Sequence, residues 1–436
     1  MQTLDKIPTG KIERAGKLVK TGAKIGGNYI KYYGKKLVQP DLGRDELDQD
    51  NAGDIYDGLK SLKGSALKVA QMLSMDKNLL PRAYVEKFSL AQFSVPPLSA
   101  PLVRKTFFKY FGKYPEDLFD DFNSSAINAA SIGQVHKAQK DGKSLAVKIQ
   151  YPGVAASIKS DLALVKPIAI RMFNLEGKDT DKYFGEVEEK LEEETNYMLE
   201  LKQSREITEA CAVLPGIDFP QYYPELSSDR ILTMDWMHGK HLSEYTSTDF
   251  DREEARQIGQ SLWDFYMFQM HGLRRVHADP HPGNFLVSEQ GRLIAIDFGC
   301  VKEIPGSFYV PYFELAKKET LADDKLFTEK LFELEILMDS DSSEERIFFK
   351  SLFKEMLSLF TSPFNEAYFD FGDEVFWERI ASLSTRLSKG DEIRNLNSNR
   401  GSKHFLYINR TFFGLYNMLY DLKARVEVDR FRKYMD

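Results

Sequence analysis

Val276-His277-Ala278-Asp279-Pro280-His281-Pro282-Gly283-Asn284, with Ile296-Asp297-Phe298-Gly299 further along, is the stretch whose reading decides the fold. Between the two segments, Phe285–Val287 and Leu293–Ile296 flank Ser288-Glu289-Gln290-Gly291-Arg292, a hairpin signal. Asp279 can orient a nucleophile or accept its proton. Asn284 and Asp297 offer the hard oxygen ligands that Mg²⁺ prefers. A hairpin between them would hold both ligands on one side of a phosphate chain. Each piece has a plain alternative. A lone Asp-Phe-Gly is most often a turn after a strand. His277 and His281 alone are most often hydrogen-bonded structural residues, and a zinc site would need a third ligand that the spacing does not offer. The order of the pieces carries the argument.

That order, an aspartate ahead of an asparagine, a hairpin, then Asp-Phe-Gly, is the layout of a kinase catalytic loop and metal loop. A kinase also needs a lysine upstream. In Ala146-Val147-Lys148-Ile149 the lysine lies on the strand face opposite Leu145, Val147 and Ile149. It can pair with nucleotide phosphates once a carboxylate restrains it, since a free ammonium arm carries about 2 kcal/mol of rotamer entropy. Glu200, on a Glu-rich helix expected over roughly 182–210, is the chosen partner, although composition alone does not single it out. Ahead of the strand, Asn128-Ala129-Ala130-Ser131-Ile132-Gly133-Gln134-Val135-His136 stands where kinases place a Gly-rich loop. Alanine lacks the positive φ values open to glycine, so this loop should be stiffer over the phosphates. Ala129, Ala130, Ser131 and Val135 are its candidate nucleotide contacts. Arg230–Trp236 reads as another strand. It puts Met234 at the border of an adenine pocket, Asp235–Met237 at the hinge and Ala146 against the base.

Working outward, the chain has 436 residues with 42% hydrophobic and 13% aromatic content, which excludes a mostly disordered chain. About two to three domains are expected at this length. Cys211 and Cys300 are the only cysteines, which excludes a disulfide scaffold and fits a reducing compartment. Cys300, just after Asp-Phe-Gly, reads as a buried inert thiol rather than a redox sensor. Residues 1–40 hold nine Lys and Arg against Asp5 and Glu13, a local charge of +7. The whole chain carries −7, so residues 41–436 carry −14. A basic arm on an acidic body suggests an anionic partner for the arm and argues against nucleic acid as a partner of the body.

Residues 11–38 repeat small and apolar side chains at helical spacing, with lysines on the other face. One reading is an interfacial helix on anionic lipid; the other is a surface helix packed on its own protein. In residues 46–90, Leu59, Leu62, Ala66, Val69, Ala70 and Leu73 form one helix face. Ile258, Leu262, Tyr266 and Met270 mark a long apolar helix ending near Gly272. Residues 305–436 read as helical, with polar breaks around 340–344 and 389–402. The longest uncharged stretch, Phe88–Val103, contains Pro96, Pro97 and Pro101, so no membrane-spanning helix is expected. The N-terminus is charged from Asp5 and Lys6 onward, so no secretory signal is expected.

With these residues in view, the sequence resembles the UbiB/AarF family of atypical kinase-like proteins, which includes the coenzyme Q biosynthesis members. The resemblance covers about residues 10–310. It rests on Ser131-Ile132-Gly133-Gln134-Val135-His136, on Tyr151-Pro152-Gly153-Val154 followed by Ser160-Asp161-Leu162, and on His277 through Asn284. It also rests on Leu67-Lys68-Val69-Ala70-Gln71-Met72, similar to the family's KxGQ motif, with Leu79-Leu80-Pro81 and Val95-Pro96-Pro97 after it. The resemblance implies a protein-kinase-like fold with an N-terminal helical extension over the place where a protein substrate would sit. It implies that Lys68 and Gln71 project into the active site, that Glu194 contacts Lys68 and that Glu200 pairs with Lys148. Ala70 stands where the family usually has Gly, Asn128 replaces the first alanine of its Ala-rich loop, and Asn196 replaces the aspartate of its ExD motif.

The expected architecture is α+β, a two-lobe atypical kinase fold: a basic segment 1–45, a helical extension 46–125, a small lobe 126–237 and a helical lobe 238–436. The expected activity is that of an ATP-binding, Mg²⁺-dependent kinase or ATPase (ATP and ADP as its nucleotides) that supports isoprenoid-quinone or other lipid metabolism. The family implies a membrane surface and quinone- or lipid-pathway proteins as partners, and the expected location is cytoplasmic, peripheral at the inner face of a membrane. No Ala-Pro-Glu follows Gly299, so the platform for a peptide substrate is missing. A small-molecule kinase of the aminoglycoside or choline type shares the catalytic loop but lacks the extension at 64–72. A nucleotide-binding pseudokinase that remodels lipid complexes is the non-enzyme reading.

Overall fold

The computed structural model describes residues 11–39, 43, 45–62, 66, 68–69, 82–89, 97–129, 132–173, 178–389 and 400–435. The chain divides into two compact units, Met1–Lys202 with Gln221–Trp236, and Gln203–Pro220 with Met237–Asp436. The expected segments 1–45 and 46–125 therefore fall within the first unit, and 203–220 falls in the second.

The first unit opens with α1 (Lys11–Val38) and α2 (Asp45–Leu62). Lys24 meets Asp54 at 3.0 Å, Lys31 meets Asp50 at 3.5 Å and Lys35 meets Glu46 at 2.6 Å, so the helices run antiparallel. Asn28 donates to Asn51 at 3.1 Å and to Asp54 at 2.9 Å. Thr21 lies so close to Gly58 that a Cβ there would collide with it. The packed face of α1 carries the buried Thr21 and Tyr32, whereas Val19, Ile30 and Tyr33 are 72%, 77% and 54% exposed. At about 100° per residue those three share one narrow stripe. Three residues of the apolar stripe, Val19, Ile30 and Tyr33, are thus left in solvent, with Tyr29 half-buried, and part of the lysine row is neutralised by α2. Leu59, Leu62, Ala66 and Val69 are buried in the core of this unit. Ala70 and Leu73 lie outside the described residues.

A five-stranded antiparallel sheet follows. Gly133–Lys140 pairs with Asp121–Phe122, Asn128–Ala129 and Lys143–Gln150, and the last pairs with Ile231–Asp235. Asp141 (φ 50°) and Gly142 (φ 75°) close the two-residue hairpin between the long strands. Positive φ at both positions suits the right-handed twist, which is why Asp-Gly serves there. The alternation over 145–150 predicts a half-buried strand. In the structure Leu145, Ala146, Val147, Ile149 and Gln150 are all buried, because the strand lies inside the sheet rather than at its edge. The Glu-rich helix is two helices, Lys178–Glu194 and Tyr197–Cys211. The break comes at Asn196, whose Oδ1 accepts the Leu199 N–H at 3.1 Å as an N-cap.

The second unit is built on the helix Arg252–Met267, capped by Asp251, which accepts from the N–H groups of Glu253 at 2.9 Å and Glu254 at 2.8 Å. Ile258, Leu262, Trp263 and Tyr266 are buried along it. A π-helical turn, Phe268–Leu273, ends it with Arg274 in the left-handed region. Phe285–Val287 and Leu293–Ala295 form the expected hairpin and sit between Lys240–His241 and Ile217–Asp218. Arg275–His277 pairs with Val301–Glu303. Beyond residue 305 the unit is mainly helical, with Ser343–Phe360, Glu374–Lys389 and Lys403–Asp421 the longest helices. One strand pair, Tyr368–Asp370 with Arg425–Glu427, interrupts the helical reading. No helix among the described residues is long and apolar enough to cross a membrane.

Candidate active site

In the first unit, strand register arranges the side chains. Val135 lies across from Lys148 and Lys148 across from Leu232; Lys137 lies across from Ala146 and Ala146 across from Met234. Directly opposed residues point to the same face, so Val135, Ala146, Lys148, Leu232 and Met234 share one surface of the sheet. Lys148 Nζ donates to Glu200 Oε1 at 2.7 Å, and the Glu200 side chain is only 4% exposed. The Tyr197 ring lies 5.3 Å from the same ammonium. Gly133 is required beside it, since a Cβ there would come within 2.9 Å of the Tyr197 hydroxyl.

A second ion pair joins Lys68 Nζ to Glu194 Oε2 at 2.9 Å. Glu194 ends one helix and Glu200 lies in the first turn of the next. The turn between them is pinned to the sheet: the Thr195 carbonyl accepts from Gln150 Nε2 at 3.0 Å and from the Arg230 guanidinium. The sequence reading missed Leu232, Tyr197, Gln150 and Arg230. Gln150 carried a usable signal, being two residues beyond Lys148 on the same strand face. Gln71, Ala130 and Ser131 lie outside the described residues. Ala129 is described, opposite Gln134 at the end of its short strand.

At the expected hinge, Asp235 turns its carboxylate away from the Lys148 face. It accepts from the Tyr223 hydroxyl at 2.7 Å and from the Gln221 N–H at 3.0 Å. The Asp235 N–H donates to Gln221 O and the Trp236 N–H donates to Ser144 O, both at 2.9 Å. The hinge role therefore cannot rest on the Asp235 side chain. Met237, half-buried, begins the longer segment of the second unit.

In the second unit the hairpin register sets Asn284 next to Ile296, whose N–H donates to Asn284 O at 3.0 Å; Asp297 is the next residue. Asn284 Nδ2 donates to the Asp279 carbonyl at 2.9 Å, which leaves its Oδ1 available to a cation and ties Asp279 to the same loop. Asp297 Oδ1 accepts the Gly299 N–H at 2.9 Å. The Ala278 N–H donates to Cys300 O at 2.8 Å, so the segments before Asp279 and after Asp297 run side by side. Phe298 is buried, its ring 5.6 Å from His277 and 6.3 Å from Phe265. His281 Nδ1 accepts the Gly283 N–H at 3.0 Å, capping the tight turn Pro282–Asn284. Burial, with the Asp279 charge adding to it, holds the Tyr266 phenol protonated far above its ordinary range. Asn284 and Asp297 supply an amide and a carboxylate oxygen, a hard donor pair that fits Mg²⁺ sharing phosphate and water oxygens. Among the described residues no three His, Cys, Asp or Glu side chains are grouped to hold a metal by themselves.

A family model described as the ABC1 atypical kinase-like domain matches residues 90–331. An uncharacterized protein of Synechocystis sp. is 34% identical over 259 residues, 57% of this chain and 44% of that protein. The atypical kinase COQ8B, mitochondrial, of Danio rerio is 28% identical over 342 residues, 77% of this chain and 54% of that protein. The chain thus spans about half the length of these two relatives. The atypical kinase COQ8, mitochondrial, of Saccharomyces cerevisiae is 28% identical over 341 residues. A solved structure titled as the complex of Rv3197 with erythromycin from Mycobacterium tuberculosis matches with a TM-score of 0.62 and 25% identity, covering 90% of this chain and 98% of that one. The α+β kinase-like fold is common to these comparisons.

Proposed function

The chain belongs to the ABC1 atypical kinase-like family, and from that premise we propose that it binds ATP with Mg²⁺ and hydrolyses it or transfers its terminal phosphoryl group. The observation that carries this reading is the Lys148–Glu200 contact at 2.7 Å. A lysine held by a nearly buried carboxylate is pre-set to meet phosphate oxygens rather than sampling its rotamers. Val135, Ala146 and Met234 give the nucleotide an apolar seat on the same sheet face. The N–H groups of Asp235 and Trp236 are both engaged within the first unit, so neither serves as the adenine donor. Asp279 orients the attacking oxygen and takes its proton. Asn284 and Asp297 hold Mg²⁺, which neutralises the charge that develops on the phosphates when it is bound. Lys68, fixed by Glu194, brings the extension to the turn that leads into Glu200. That extension favours an ATPase or lipid-directed role over an aminoglycoside-type kinase.

The exposed stripe of Val19, Ile30 and Tyr33, with the lysine row along its flank, supports contact with an anionic lipid surface. A peripheral place on a membrane, among proteins of quinone or lipid metabolism, is the setting this reading favours. The test is ATP turnover by the full chain, with and without phosphatidylglycerol-containing liposomes, in wild type and Asp297→Asn. We expect Mg²⁺-dependent turnover that falls at least 100-fold in the variant. No turnover in any condition would sink the enzyme reading, and nucleotide binding without turnover would favour a remodelling pseudokinase.

A further inference from the structure

We propose that the second unit carries a binding site for an apolar monocarboxylate, a ring or short chain ending in one carboxylate, tied to the Asp279 loop. The site is a cavity of about 290 Å³ among the helices Gly306–Glu314, Ser343–Phe360 and Lys403–Asp421. Tyr312, Phe353, Phe405 and Phe412 form its buried aromatic floor, and the half-buried Met356 and 44% exposed Phe413 stand at its mouth. Apolar cavities of about 150 Å³ accept benzene, so this one has room for a ring with a short tail.

Arg410 decides what the tail must be. It lines this apolar wall, and its Nε–H is buried without a partner. Its terminal nitrogen donates to the Ala278 carbonyl at 3.1 Å. Among the described residues no carboxylate pairs with it. Asn409 Oδ1 already accepts the Tyr312 hydroxyl at 2.7 Å. The lining thus holds one half-buried cation without a carboxylate partner beside an aromatic wall, which selects one negative charge on an apolar body. A nucleotide, with several charges, does not fit that inventory. Because Ala278 immediately precedes Asp279, an anion that fixes Arg410 also stiffens the catalytic loop. Arg410 acts there as a positioning residue.

The site lies wholly within the second unit and stands independently of nucleotide turnover. The probe is 4-phenylbutyrate, with its neutral amide as control, titrated by calorimetry into the full chain. We expect the acid to bind at least tenfold tighter than the amide, and Arg410→Gln to abolish that preference. Met356→Trp, which plugs the mouth, should weaken acid binding at least tenfold while leaving nucleotide affinity unchanged. Hydrogen exchange over residues 275–285 should slow when the acid is bound. Equal affinity for acid and amide in wild type, or unchanged acid binding in a folded Met356→Trp, overturns the site. If Arg410→Gln does not fold, Met356→Trp decides. Unaltered exchange in the saturated protein overturns the link to the loop.

Discussion

Glu200 sits where one side chain controls two things, the posture of Lys148 and the charge left buried beside it. Glu200→Gln keeps the shape and removes the charge. Breaking a buried pair from one side typically costs 3–5 kcal/mol. Lys148 keeps 20% of its side chain in solvent, so a loss of about 2–4 kcal/mol is expected in urea unfolding, together with weakened ATP binding. Asn196 is a different case. It is exposed and caps Tyr197–Cys211, a task that asparagine and aspartate perform about equally well. Asn196→Asp should therefore move stability by no more than about 0.5 kcal/mol. The Mg²⁺ midpoint of ATP binding should shift less than twofold; a larger shift would return this position to the metal site. Asp279, Asn284, Asp297 and Lys148 were legible because their chemistry demands fixed types in a fixed order. Leu232 and Arg230 were not, because register and turn anchoring assign them their neighbours, and neither leaves a mark on residue type.

At the level of elements, α1 is the instructive one. Its helical period was readable over 11–38, but what it packs on was not. The acids that meet Lys24, Lys31 and Lys35 belong to α2, and a single-helix pattern cannot contain them. The distinction decides which substitution probes lipid contact. Neutralising Lys24 would break a helix–helix contact as well as remove charge. Val19→Ser with Ile30→Ser removes apolar surface already in water and should leave the fold nearly untouched. We expect that double variant to lose at least fivefold in affinity for anionic liposomes with nucleotide binding unchanged. Equal liposome binding, measured by co-sedimentation, would assign the stripe no role in lipid contact. The Glu-rich segment taught the same lesson: charge periodicity runs through 182–210 without a mark, while one capping asparagine divides it.

Across the whole molecule, two of the buried histidines, His271 and His136, contribute to the response to acid. His271 is pushed down to about 3, by burial first and by the nearby Arg274 charge second. His136 is also lowered, again by burial. Both are neutral when folded, and both take up a proton on unfolding below about pH 6.5. Their contribution is therefore present above that pH and is lost as pH falls toward the folded values, by up to about 1.4 kcal/mol per pH unit for each site. Replacing His271, whose Nδ1 contacts the Tyr309 hydroxyl at 2.6 Å, with Gln should reduce the loss between pH 6 and pH 5 by about 1 kcal/mol in urea titrations. An unchanged slope would mean that His271 does not titrate on unfolding. The strand Arg425–Glu427 has a consequence of another kind. Gln260 exchanges hydrogen bonds with Glu427 at 2.8 and 3.0 Å, and Trp263 Nε1 donates to Val428 O at 3.2 Å, across sequence separations of 165–167 residues. The central helix of the second unit thus cannot bury its tryptophan until residue 428 has been synthesised. At about 5–20 residues per second, the nascent chain carries that apolar face uncovered for roughly 8–33 s, a window in which its fate rests with chaperones rather than with its own fold.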